Sequence, residues 1–116
     1  MLPAPWDVKE RQVGRVTVLE VSGRMIYDRS DALDEHLQRL INAGRPNILV
    51  ECSGVSAIDS HAMGVLARGT SRAMKAGGAL KLLKPSPRVR EGLTLVGLLR
   101  VLEAFDDESK ALASFK

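Results

Sequence analysis

Ile48-Leu-Val-Glu-Cys-Ser-Gly-Val-Ser-Ala-Ile-Asp-Ser-His-Ala-Met-Gly-Val-Leu66 joins two unlike patterns through a short polar hinge. Residues 47–53 are largely apolar and do not alternate, which predicts a strand covered on both faces, as central parallel strands are. Residues 54–58 suggest a short turn. Asp59-Ser60 then precedes a helical pattern through Met63, Leu66, Ala67, Thr70 and Met74, which Gly77-Gly78 ends. A serine at such a junction has the unpaired N–H groups of a helix N-terminus around it and the positive end of the helix dipole beneath it. That environment accommodates a phosphate, and it equally suits a plain capping residue.

Outward from this segment the chain continues to alternate. Toward the N-terminus, residues 13–23 fit a strand stopping at Ser22-Gly23, and a preceding strand over 6–11 with a turn near Gly14 would make a hairpin. Ser30 reads as an N-cap, with Leu33, Leu37, Leu40 and Ile41 at helical spacing and Gly44 with Pro46 as the stop. Toward the C-terminus, residues 79–83 form a strand, and Ser86-Pro87 opens a helix burying Val89, Leu93 and Val96. Residues 101–105 suggest a last strand. Asp106 or Asp107 caps a final helix that buries Ala111, Leu112 and Phe115. The order predicts one α/β domain over 1–116, with a mixed four- to five-stranded sheet and about four helices.

Composition bounds the function. A chain of 116 residues has room for one domain, and its single cysteine, Cys52, cannot form an internal disulfide. Residues 1–6 lack the basic start and apolar run of a signal peptide, and no window nears 18 apolar residues, so a cytoplasmic protein is expected. Two histidines and one cysteine give no zinc spacing, no glycine-rich phosphate loop is present, and neither metal nor cofactor is expected. Asp59, Ser60 and His61 are the residue types of a hydrolase, but successive helix positions point about 100° apart and cannot form a relay. No catalytic residue is assigned.

The net charge of +3 is uneven. No acid occurs from Ser60 to Arg90, whereas Arg68, Arg72, Lys75, Lys81, Lys84, Arg88 and Arg90 fall there. Such a stretch could meet nucleic acid. None of Trp6, Tyr27, Phe105 and Phe115 lies within it, so base stacking would be poorly served and a protein partner is the better expectation.

Val50, Ser53, Gly54, Val55, Ile58, Asp59, Ser60 and Gly64 match the signature of the STAS domain family of bacterial anti-sigma factor antagonists, which the chain resembles. That signature is hydrophobic-Asp-Leu-Ser-Gly-Val-X-X-Ile-Asp-Ser-Ser/Ala-Gly-Leu-Gly. The resemblance extends in order through Val21-Ser-Gly-Arg-Met25, Ala76-Gly-Gly-Ala-Leu-Lys-Leu-Leu83 and Gly97-Leu-Leu-Arg-Val-Leu-Glu-Ala-Phe105. It implies a non-enzymatic partner switch in signal transduction and transcription regulation. The unmodified antagonist binds an anti-sigma factor kinase of the GHKL type and frees a sigma factor. The kinase uses ATP and Mg²⁺ to phosphorylate the serine after the signature aspartate, here Ser60, and a phosphatase restores it. Neither nucleic acid nor membrane is contacted directly, and a monomer or weak dimer is expected. Asp59, His61, Ala62, Gly64, Val65 and Arg68 are the expected partner-contact residues, with Asp28 the candidate for an acidic position in the preceding loop.

The chain departs from the pattern at three places. His61-Ala62-Met63 replaces Ser/Ala-Gly-Leu, Glu51 replaces the strand aspartate, and the 25–30 loop lacks the usual Leu-Asp. The Ala62 methyl group is expected to crowd a partner. These changes motivate an alternative, a phosphorylation-independent STAS docking or scaffold subunit of a signalling assembly.

Overall fold

The computed structural model describes residues 6–115, so the signal-peptide reading of the first residues falls mainly outside it. Five strands form one sheet in the order β1-β2-β3-β4-β5. β1 (Trp6–Val13) and β2 (Val16–Met25) are an antiparallel hairpin turning at Gly14, which takes a left-handed φ of 59°. β3 (Asn47–Ile58), β4 (Ala79–Leu83) and β5 (Ala104–Phe105) each run parallel to the preceding strand. Helices α1 (Asp28–Asn42), α2 (Ser60–Lys75) and α3 (Pro87–Leu95) connect them, and α4 (Glu108–Ala113) ends the chain.

β3 is central, and Ile48, Leu49 and Val50 are all fully buried, as the unbroken apolar run requires. Ile48 and Val50 face the larger core with Leu33 and Leu37 of α1, Leu66 of α2 and Leu93 of α3. Leu49 faces the smaller one with Val16, Val18 and Leu83, where Ala111 of α4 packs. Each such side chain contributes roughly 1.5–3 kcal/mol by leaving water. Cys52 lies in the larger core, 2% exposed, with its thiol donating to the Leu83 carbonyl at 3.5 Å. Burial first, and Glu51 second, push that thiol up to about 12.

Both long helices end in the same way. In α2 the Gly77 N–H reaches the Met74 carbonyl at 3.0 Å and the Gly78 N–H reaches Ala73 at 2.8 Å, with Gly77 at φ 88°. In α1 Gly44 and Arg45 make the equivalent bonds to Ile41 and Leu40. These are the paired closures that glycine permits by entering left-handed backbone.

Several sequence expectations are corrected. β2 and β3 run on to Met25 and Ile58, so residues 54–58 are strand rather than turn. The ladder between them stays in register only by shifting at Glu20/Ser22 and at Gly23/Arg24, irregularities that periodicity does not reveal. Ser30 is no cap: α1 starts at Asp28, and Ser30 sits fully buried in its first turn with a side-chain oxygen lacking a partner. Met74 and Val96 are exposed. The stripe of α2 that faces inward is Ala62, Val65, Leu66, Gly69, Thr70 and Ala73, rotated from the expected one because small residues bring the helix close to the sheet. A Cβ at Gly69 would stand 3.0 Å from Leu37 and 3.1 Å from Leu80. Of residues 101–105 only Ala104–Phe105 is strand, preceded by a 3₁₀ turn at Leu98–Arg100.

Candidate functional site

β2 and β3 end side by side at the Met25–Ile58 pair, and each then releases its chain into a helix. The N-termini of α1 and α2 therefore emerge together at one end of the sheet. Asp59 joins them. One carboxylate oxygen accepts from the Ala62 N–H at 2.9 Å and caps α2, while the other accepts from the Tyr27 N–H at 3.1 Å. The Asp59 N–H also reaches the Met25 carbonyl at 3.4 Å. A second tie lies alongside, between His61 Nε2 and Asp31 of α1 at 2.6 Å.

Ser60 is the first residue of α2 and is exposed. Its neighbours are committed elsewhere, the Asp59 carboxylate to two backbone donors and the His61 ring to Asp31, so no relay converges on the Ser60 hydroxyl. What the arrangement offers is an accessible hydroxyl at the positive end of a long helix, on a turn pinned from both sides.

The expected contact residues divide between two faces. Ser60, His61 and Arg68 are exposed, Asp59 and Gly64 are half-buried, and Asp28 is exposed at the start of α1. Arg68 lies back over Gly64, with a guanidinium nitrogen 3.3 Å from where a glycine Cβ would stand. Ala62 and Val65 are fully buried against the sheet and cannot touch a partner. The Ala62 methyl group therefore fills the core and does not crowd the surface. Glu51 accepts from the Ser53 N–H at 2.9 Å. Sequence reading missed Tyr27 and Asp31, because both reach the site only through the pairing of β2 with β3.

The acid-free stretch does not become one basic surface. Arg72 pairs with Asp34 at 3.2 Å and Arg90 with Asp106 at 3.1 Å. Lys81 is 8% exposed and bonds the Ser114 carbonyl and hydroxyl at 3.2 and 2.9 Å, between the rings of Phe105 and Phe115. It holds the end of α4 to the sheet. Among the described residues, no group of three or more His, Cys, Asp or Glu is placed to bind a metal, and no helix is long and apolar enough to cross a membrane.

A family model for the STAS domain matches residues 7–111, which takes in this site and nearly all of the fold. The chain belongs to the STAS domain family. A Thermotoga neapolitana relative, named as a candidate anti-sigma factor antagonist, is 33% identical over 72 residues, 62% of this chain and 64% of that protein. The STAS chain thus spans less than two-thirds of that relative's length in the match. The crystal structure of an anti-sigma factor antagonist from Mycobacterium paratuberculosis has the same fold, with a TM-score of 0.85 at 21% identity over 97% of both chains. So does SpoIIAA, a Bacillus cell fate determinant, in its unphosphorylated form. Its TM-score is 0.74 at 20% identity, covering 90% of this chain and 92% of that one.

Proposed function

We propose that this STAS domain is an anti-sigma factor antagonist that works as a partner switch at Ser60. Unmodified, it docks on an anti-sigma factor kinase of the GHKL type and displaces a sigma factor. The kinase transfers the γ-phosphoryl group of ATP to the Ser60 oxygen, the hydroxyl proton leaves and ADP is released. A phosphatase returns the serine by hydrolysis. Catalysis belongs to those partners.

The observation that carries this reading is the exposed Ser60 at the first position of α2, its turn fixed by the two bonds of the Asp59 carboxylate. A hydroxyl that receives a phosphoryl group must lie against the kinase's nucleotide. Once modified, it carries about −1.5 to −2 charges toward phosphates of the same sign. The docked complex then loses affinity through repulsion and desolvation, with little need for the domain to refold. SpoIIAA, which shares the fold, is known in unphosphorylated and phosphorylated forms.

Incubation with GHKL-type anti-sigma kinases from the source genome, ATP and Mg²⁺, followed by peptide mass spectrometry, tests the assignment. Phosphate is expected on Ser60. Ser60→Asp is expected to weaken the complex more than about tenfold, as a desolvated charge does, and Ser60→Ala to leave it intact. Tight binding without phosphate at Ser60 would favour the phosphorylation-independent docking subunit instead.

A further inference from the structure

We propose that Tyr27 is the specificity anchor of this docking surface, an exposed aromatic ring that the β2–α1 turn holds out toward the anti-sigma kinase at a cost to the fold. The proposal rests on the partner-switch reading and extends it to a residue outside the family signature.

The backbone supplies the first argument. Residues 26–29 form a tight turn, closed by the Arg29 N–H on the Ile26 carbonyl at 3.1 Å. Tyr27 occupies its first central position with φ 50° and ψ −127°. That is the first central seat of a type II′ turn, which glycine normally fills because any Cβ is strained there. A large side chain in such a seat is ordinarily offset by burial. Tyr27 has no such offset, being 72% exposed. Burial therefore does not account for its presence, and strained positions of this kind concentrate at functional sites.

Placement supplies the second. Met25 before the turn is 2% exposed and Ser30 after it is fully buried, so the turn is anchored on both sides. The Tyr27 N–H is bound by the same Asp59 carboxylate that caps the Ser60 helix. The ring is therefore carried on the rigid framework that presents the phosphate acceptor. Tyrosine presented in that way gives a large amphipathic contact at small entropic cost, which is why it is over-represented among residues that dominate interfaces.

Charge indicates what receives it. Asp28 stands exposed at the start of α1 directly after the tyrosine, with the exposed Asp31 beyond it tied to His61. The complementary partner surface is an apolar cleft that takes the ring, with a hydrogen-bond partner for the phenol and basic side chains at its rim. The committed occupant is the anti-sigma kinase itself. Its nucleotide phosphates face Ser60, and its basic rim faces α1.

Thermal melting of Tyr27→Gly, Tyr27→Phe and Tyr27→Ala, with titration calorimetry against the kinase that phosphorylates Ser60, tests the proposal. Tyr27→Gly is expected to melt at or above the wild-type temperature yet bind about tenfold more weakly or worse. Tyr27→Phe keeps the ring and is expected to retain most of the affinity, whereas Tyr27→Ala loses affinity without gaining stability. A clear fall in the melting temperature of Tyr27→Gly would make Tyr27 a structural residue and overturn the proposal. So would wild-type affinity in Tyr27→Gly, which would leave the Ser60 switch standing. If no such kinase binds even the unmodified wild type, the partner-switch reading fails and the anchor with it.

Discussion

Replacing Asp59 with alanine removes one carboxylate and two structural bonds. The first is the α2 cap on the Ala62 N–H at 2.9 Å, and a lost acidic N-cap typically costs about 1 kcal/mol. The second is the acceptor for the Tyr27 N–H at 3.1 Å, a surface bond contributing about 1 kcal/mol. Together they predict a loss of about 2 kcal/mol, or roughly 8 °C in Tm for a domain near this size. Asp59→Asn separates the two contributions. Asparagine caps about as well as aspartate, but its amide group would present a donor to the Tyr27 N–H, so about half the loss should remain. Urea titration followed by circular dichroism measures both variants, with the m-value unchanged if only the native state is affected. Combining Asp59→Ala with Tyr27→Gly should depart from the sum of the single effects, since both act on one turn. An alanine variant within about 0.5 kcal/mol of wild type would refute the bridge between the two helix N-termini.

Two further perturbations probe the frame that supports the site. Gly78→Ala would place a Cβ 2.4 Å from the Pro46 carbonyl oxygen, which is backbone and cannot rotate away; a loss of about 1–3 kcal/mol in urea titration is expected. Glu108 is held below the usual carboxylate range chiefly by hydrogen bonding from Arg11; burial opposes this, and the charges of Arg11 and Lys84 add smaller lowering effects. Because its folded pKa lies below the unfolded value, the stabilisation is present above about pH 4.3 and is lost as pH falls through the folded value. Glu108→Gln should therefore melt lower than wild type at pH 7, and the gap should close in more acidic solution.

Most of the architecture was legible because it rests on local chemistry. Ser86 accepts from the Val89 N–H at 3.4 Å with Pro87 first in α3, as the pair Ser-Pro implies. Asp59 caps α2, Gly44 and Gly77 close the two long helices, and the apolar run at 48–50 is the sheet's centre. What was not legible depends on contacts distant in sequence. Ser30 has the chemistry of a cap, but the turn at Tyr27 starts the helix three residues earlier and buries it. Val65 and Ala62 looked like surface neighbours of Ser60, and they became core because α2 approaches the sheet on its small residues. The acid-free run from Ser60 to Arg90 looked like a basic face, yet Asp34, Glu103 and Asp106 reach it from other elements.

The placement of the site follows from the parallel pairing itself. Consecutive parallel strands joined by helices begin every helix at the same end of the sheet, so the N-termini of α1 and α2 had to meet there once β2 paired with β3. Two positive helix ends side by side are unfavourable alone, and the chain compensates with Asp28, Asp31 and Asp59 at that end. The site thus stands near electrostatic balance before modification. A phosphate on Ser60 would be drawn by the helix ends and repelled by the three carboxylates, opposing effects that leave the domain itself little changed. On the partner-switch reading, the free energy of modification is then expressed mainly in the complex, where the new charge is desolvated and repelled by the nucleotide phosphates of the kinase. This predicts that Ser60→Asp will alter Tm by no more than about 1 kcal/mol equivalent while weakening binding by more than about tenfold. A variant that lost both together would place the switch inside the domain rather than at its surface.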